Sequence, residues 1–344
     1  AQDLTIGVDI GDRWCVYHVL DAEGQSIDRG KVATNEDALR QLFSGTVPCR
    51  VVMETGTHSP WISRLVEGCG HVVYVANARR VQLISRNSNK DDEVDAELLA
   101  RLGRVDPELL SPVRHRGAQA QLDMAVMRTR DALVRTRTSL IASVRAQVKS
   151  MGRRLPRCST TSFHRKQTDQ IPEPLRAALV PMLSLIGETT ERIRQLDRRI
   201  EWLCENRYPE TRLLRQVKGV GPITALYFVL VIEDPSRFKK VRSVGPFVGL
   251  RPKRHHSSES RPQLRITKEG DHMLRRLLVG SARYIMGPFG PPSDLKRHGE
   301  ALAASGTKLA KGKAAIAVAR KLAVLLLSLW KTGAVYQPLR SVAA

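Results

Sequence analysis

T-I-G-V-D-I-G, residues 5–11, is the stretch on which the reading of the fold turns. It lies in an apolar strand, residues 4–10, that ends beside an acid, Asp9, and turns at Gly11-Asp12. Two further strands, 14–21 and 26–32, follow, separated by Glu23-Gly24. Outward from there the pattern alternates: a helix over 35–43, a buried-type strand over 50–54, a helix over 60–67, a strand over 71–75 and a helix near 78–86. A three-strand meander followed by alternating helix and strand predicts an α/β domain with a mixed sheet.

The whole chain is 344 residues, too long for one ordinary core, so two or more domains are expected. Its 56 Lys+Arg against 34 Asp+Glu give a formal charge of +22, which calls for a polyanionic partner. Nucleic acid is favoured, because Lys and Arg that neutralise phosphates release counterions. A basic ribosome-associated or membrane-surface protein is the alternative, but here the acids are grouped at marked points. Cys15, Cys49, Cys69, Cys158 and Cys204 form no C-x-x-C pair and read as reduced cytosolic thiols. The start has no basic-then-apolar leader, and the apolar stretch 314–330 carries Arg320 and Lys321, so neither a signal peptide nor a membrane span is expected.

Residues 116–206 lack strand signals. Leu179, Ile186, Ile193 and Ile200 advance by sevens, with Met182, Thr189, Leu196 and Leu203 three positions on, a heptad seam. This predicts a helical, coiled-coil-like arm suited to dimerisation or to spacing two domains; an ordinary buried helix face is the plainer reading. An earlier helix near 119–151 carries Arg128, Arg130, Arg135, Arg137 and Arg145 with few balancing acids, and is expected to face phosphates. Residues 153–174 read as a linker. Next, K-G-V-G-P-I-T-A, residues 218–225, resembles a helix-hairpin-helix turn in which Lys218, Gly219 and Gly221 bring backbone amides to a DNA phosphate. A tight turn between core helices is the alternative.

Asp9 and Glu54 end the first and fourth strands, and would emerge on one sheet edge if those strands are neighbours. K-D-D-E-V-D places Asp92 and Asp95 three apart, on one face of a helix; Asp91 in place of Asp92 remains open if the register differs. Four converging acids repel one another, so a divalent cation is the natural counter-charge, with oxygen-only ligands favouring Mg²⁺ or Mn²⁺. Singly each acid is weak evidence: Asp9 before Gly11 also suits an actin-like or sugar-kinase phosphate loop, and Asp95 suits a helix surface.

G-V-D-I-G, M-E-T-G-T-H-S and N-K-D-D-E-V-D-A-E-L-L-A-R-L together resemble the RuvC-like N-terminal domain of the DEDD insertion-sequence transposases, the bridge-RNA-guided recombinases. K-G-V-G-P-I-T-A, S-R-F-K-K-V-R-S-V-G-P-F-V-G-L-R-P and I-T-K-E-G-D-H-M-L-R-R-L-L resemble the C-terminal domain of the same family, so the resemblance covers nearly the whole chain. It implies a RuvC-like (RNase H) fold holding Mg²⁺ on Asp9, Glu54, Asp92 and Asp95, and a serine nucleophile between the G-L-R-P and I-T-K-E-G segments. Ser257 falls there. The family usually has Gly soon after that serine, whereas Ser258 and Glu259 follow here, so Ser257 versus Ser258 stays open, with Ser260 third. Lys253, Arg254, Arg261, Arg265 and Lys268 lie near it as candidate nucleic-acid contacts.

The expected organisation is therefore α/β plus all-α: residues 1–115 as a RuvC-like metal-binding domain, 116–206 as the helical coiled-coil arm, and 207–344 as a mainly helical transposase domain. The resemblance further implies donor and target DNA, a structured noncoding guide RNA, a homodimer or homotetramer in which protomers share the site, and a nucleoid-associated place in a bacterial cytoplasm. The rival is a RuvC-like structure-specific nuclease with no covalent intermediate.

Overall fold

A computed structural model of the protein describes residues 4–77, 91–253 and 264–339. The chain divides into two compact units, Ala1–Ala118 and Gln119–Ala344.

The first unit is built on a five-stranded sheet of order β3-β2-β1-β4-β5. Its strands are β1 (Thr5–Ile10), β2 (Trp14–Leu20), β3 (Ser26–Ala33), β4 (Arg50–Glu54) and β5 (Val72–Ala76). The meander β1-β2-β3 is antiparallel, and β4 and β5 join β1 in parallel, so the mixed sheet expected from the sequence is present. Side chains alternate across it. Ile6, Val8, Val51, Met53 and Val75 point into a core shared with Leu39 and Phe43 of α1 (Glu36–Ser44) and Ile62, Leu65 and Val66 of α2 (Ser59–Gly68). On the other face Val52 and Ala76 pack with Leu99 of α3 (Asp92–Val105). The expected helix near 78–86 lies outside the described residues.

Two long helices open the second unit, α4 (Ala118–Ser150) and α5 (Leu175–Asn206). Arg130 meets Asp197, Arg137 meets Thr190 and Gln147 meets Met182. Numbers rise on one helix as they fall on the other, so the pair is an antiparallel hairpin within one chain. Leu179, Ile186, Ile193 and Ile200, the first heptad series, are all buried. At the tip, Ile141, Val144 and Val148 of α4 pack with Leu179, Leu183 and Ile186. The linker expected over 153–174 also joins this small core through Phe163 and Ile171, with a short helix at Phe163–Gln167.

At the other end of the hairpin, Met124, Met127, Ile200 and Leu203 enter a large helical core. Its centre is α6 (Pro222–Ile232), buried from Thr224 to Ile232. Around it lie α7 (His272–Met286), α8 (Asp294–Ala303) and the long α9 (Lys308–Thr332). Among the described residues, no helix is long and apolar enough to cross a membrane. The mixed sheet with a helical remainder is thus an RNase H-like domain followed by an all-α region.

Candidate active site

The acids of the first unit are positioned by strand register and by one glycine. Val8 pairs with Met53 across the parallel β1–β4 ladder, so Asp9 and Glu54 occupy the next position on each strand. Ile6 and Val8 face one core, so Gly7 and Asp9 face the other, as do Val52 and Glu54 by the same alternation. That second face is covered by α3. A Cβ on Gly7 would lie 2.0 Å from the Ala96 carbonyl oxygen and 2.5 Å from the Ala100 nitrogen, so the helix can rest on β1 only because residue 7 has no side chain. Gly103 serves the same end lower down, where a Cβ would meet a Val52 methyl at 2.3 Å.

This contact brings the first turn of α3 to Asp9. Burial raises the Asp9 carboxyl from its ordinary 3.8 to about 6, and the negative charges of Asp92 and Asp95 push it the same way. Asp91 is the N-cap, accepting from the Glu93 amide at 3.1 Å, and Glu93 reaches Arg29 at 3.9 Å. Three acids in the first turn also suit the helix dipole.

The loops at this edge are braced by polar contacts that sequence reading did not single out. Ser59 Oγ accepts from the Gly56 amide at 3.0 Å, donates to the Gly56 carbonyl at 2.9 Å and lies 2.8 Å from His115 Nε2. His58 bridges Asp12 at 3.3 Å and the Trp61 indole at 3.1 Å, and Thr34 donates to the Gly11 carbonyl. The only available sequence signal was the T-H-S run after Glu54, whose partners lie far along the chain.

Among the described residues, no three His, Cys, Asp or Glu side chains converge tightly enough to hold an ion. By chemistry the acids nevertheless fit a hard divalent cation. Asp9, Glu54, Asp92 and Asp95 offer only carboxylate oxygens, and the Asp9 carboxyl is raised by burial and then by the charges of Asp92 and Asp95, both of which a cation would offset.

Ser257, Ser258, Arg254 and Arg261 lie outside the described residues, but both flanks of their segment are described. Pro252 and Ile266 form an antiparallel bridge, with the Lys253 amide donating to the Arg265 carbonyl and the Thr267 amide to the Arg251 carbonyl, each at 2.9 Å. Just behind it the two backbones cross at van der Waals contact. Gly249 and Gly270 both have positive φ, and a Cβ on either would sit about 2 Å from the opposite chain's carbonyl oxygen. Buried Arg275 of α7 pins the crossing, donating to the carbonyls of Val248 (3.3 Å), Glu269 (2.5 Å) and Gly270 (3.1 Å). Lys268 and Arg265 are exposed beside it.

The turn before α6 has Lys218 exposed, Gly219 at φ +98 and Gly221 as an extended N-cap, following a short helix, Thr211–Arg215. A Cβ on Gly219 would press on Tyr284 of α7.

The arginines of α4, expected to face phosphates, each have a partner inside the protein, and Arg128 and Arg135 remain exposed. Arg130 pairs with Asp197, Arg135 with Asp131, Arg128 bonds Tyr227, Arg137 is buried against Thr190, and Arg145 binds the Leu155 and Pro156 carbonyls and covers the Phe163 ring. The balancing groups come from other segments, which is why α4 looked unbalanced when read alone.

Two family models match the chain: one described as Transposase, of the DEDD IS110 type, over residues 6–152, and one described as Transposase IS116/IS110/IS902 family over residues 211–294. The transposase for insertion sequence element IS1328 of Yersinia enterocolitica is 28% identical over 82% of this chain and 83% of its own length. A probable family 20 transposase of Pseudomonas aeruginosa is 27% identical over 82% and 83%. An RNase H-like sheet with acids on its edge, joined to a helical unit bearing the second motif block, is that of a DNA transposase, an enzyme that cuts and rejoins DNA. More narrowly, the chain belongs to the DEDD-type IS110 family of insertion-sequence transposases.

Proposed function

We propose that this transposase moves its element through a phosphoserine intermediate, with Ser257 as nucleophile and Asp9, Glu54, Asp92 and Asp95 as ligands of Mg²⁺, Mn²⁺ being the alternative ion. The observation that supports the metal half is the gathering of Asp9, Asp92 and Asp95 where α3 lies on β1, a negative cluster for which a cation is the natural counter-charge. Asp92 is preferred over Asp91 because Asp91 is engaged as the helix cap.

In the cleavage step the Ser257 Oγ bonds to phosphorus as one phosphorus–oxygen bond to a sugar breaks; the serine loses its proton and the departing sugar oxygen gains one. A sugar hydroxyl from another strand reverses the exchange, so each step trades one phosphoester for another and no ATP is required. When bound, the cation stabilises charge on the attacking and leaving oxygens. Lys253, Arg254, Arg261 and Arg265 share the charge of the phosphoryl group, while Lys268, and Lys218 with the Gly219 and Gly221 turn, hold neighbouring phosphates.

A structured noncoding RNA from the element would pair with donor and target DNA while the protein grips backbones, which suits a net charge of +22. We further propose a homodimer or homotetramer, with the acids of one protomer serving the serine of another, acting at the nucleoid. The test is a denaturing gel of the protein with element-end DNA, Mg²⁺ and the candidate RNA. A covalent protein–DNA adduct should form, vanish in Ser257→Ala and persist in Ser258→Ala. Cleavage without any adduct would mean a hydrolytic nuclease instead, and RNA-independent adducts would remove the guide.

A further inference from the structure

The second unit holds a groove of about 1800 Å³ between α8, α9 and the 334–338 tail on one side and the crossed backbones near Pro252 and Ile266 on the other. Small-molecule pockets occupy roughly 300–1,000 Å³, so its dimensions suit an extended ligand. Its floor is aliphatic, including Leu250, Leu295, Ile316, Val324 and Leu325, and Leu264 and Leu302 remain 36% and 47% exposed within it. Along the rim stand Arg242, Arg265, Lys268, Lys308, Arg320 and Lys321, all exposed. Asp294 is the lone carboxylate among the lining residues described, and it already pairs with Arg297. None of those six rim cations forms an ion pair with a described residue, in contrast to Arg130 and Arg135 of α4. His298, on the same wall, has its pKa lowered by burial and by Lys321, so the ring is neutral at pH 7.

We infer that this groove binds a single strand of DNA, with phosphates along the basic rim and unpaired bases against the aliphatic floor. A nucleic acid is favoured over a second copy of the chain because its phosphates match the row of unpaired rim cations while its bases match the aliphatic floor. A duplex satisfies the rim but hides its base faces, leaving the apolar floor unused. Unpaired bases use both, the combination that marks single-strand grooves, and Tyr336 and His298 are among the residues that line it. The assignment to DNA rests on the proposed serine chemistry: the groove wall includes Pro252 and Ile266, which flank in sequence the segment that carries Ser257, and the substrate of that chemistry is DNA.

The experiment uses full-length protein in a Ser257→Ala background, so binding is read without chemistry and survives even if the serine reading fails. Fluorescence anisotropy is measured with a labelled 15-nucleotide single-stranded DNA, the matching duplex and the matching RNA, over a salt series. R320Q/K321Q should weaken single-strand binding about 10-fold. It should also shallow the salt dependence by about 1.4 in log–log slope, from ~0.7 per lost phosphate contact, while duplex affinity changes less than twofold. Leu302→Gln should weaken single-strand binding with no change in that slope, which separates floor from rim. Should the double variant melt early, Arg242→Gln with Lys308→Gln reads the opposite rim. Equal losses for single strand and duplex, selective loss for RNA, tighter binding of an acidic amphipathic peptide, or no loss in any variant would each overturn the inference.

Discussion

In the N-terminal unit the candidate metal-binding acids stand at the ends of buried elements, whereas in the C-terminal unit the candidate phosphate-binding cations flank a bridge that two crossed backbones hold together. Asp9 and Glu54 are fixed by a parallel ladder, and Asp92 and Asp95 by a helix lying directly on Gly7. Lys253 and Arg265 are fixed by a bridge at Pro252 and Ile266, behind which Gly249, Gly270 and Arg275 make the crossing. The first arrangement concentrates negative charge at the cost of repulsion; the second concentrates positive charge near a polar segment. In the function proposed above, the acids would hold a cation and the basic flanks would meet a phosphate.

The sharpest way to break this comparison is Asp9→Asn. Strand cleavage should fall on the order of 10²-fold or more, because even groups behind a metal ligand are worth ~10–100-fold. Thermal stability at pH 7.5 should rise by about 1 kcal/mol after screening, since a carboxyl raised to about 6 destabilises the fold once ionised. A variant that loses stability would show Asp9 to be structural, and one that keeps full activity would remove the metal site.

Gly7→Ala tests the contact that assembles the acids. The added methyl should cost about 1–3 kcal/mol of stability and lower cleavage by lifting α3. Unchanged melting would mean that α3 does not rest on β1.

On the other side of the comparison, Arg275→Gln should lower stability by about 1–3 kcal/mol, leaving buried carbonyls short of a donor, and should reduce Ser257 adduct formation more than DNA affinity. Equal losses in both would make Arg275 a general fold support rather than a positioning residue.

A smaller effect concerns acid. Burial alone would raise Asp123, but hydrogen bonds from Arg207, Tyr208 and Gln119, with the Arg207 charge, bring it below the ordinary carboxylate range. A depressed folded value contributes stability above the unfolded value of ~3.9 that is lost as pH falls through the folded one. Asp123→Asn should therefore flatten the acid limb of an unfolding profile below about pH 4 and cost roughly 1 kcal/mol at neutral pH. Smallest of all, Arg135→Gln should leave DNA affinity and its salt dependence unchanged and shift stability by less than ~0.5 kcal/mol, as an exposed ion pair with Asp131 implies.

Much of the first unit was legible because its signals are local. Strand period and turn residues act over a few positions, and the described strands fall within a residue or two of those expected. The acids could be ordered along the chain, and their common edge followed from strand adjacency. The partners of the α4 arginines were not legible for the opposite reason: Asp197 and Tyr227 reach them only after the chain has folded back. Likewise residues 153–174 looked like a linker because Phe163 and Ile171 have no period of their own, yet they close the tip of the hairpin. Arg275 gave no signal, as a buried guanidinium serving backbone carbonyls leaves no pattern in its neighbours.

The sequence by itself determined the mixed sheet, the acids at its strand ends, the two motif blocks of the DEDD transposases and the large positive charge, because each is written in short-range periodicity or composition. Only the tertiary structure decided that Asp9 couples to Asp92 and Asp95, which cations are paired internally and which are left to line a groove. The physical reason is that coupling and pairing depend on distances between distant segments, and those are set by side chains that are missing, such as a Cβ at Gly7, as much as by those present.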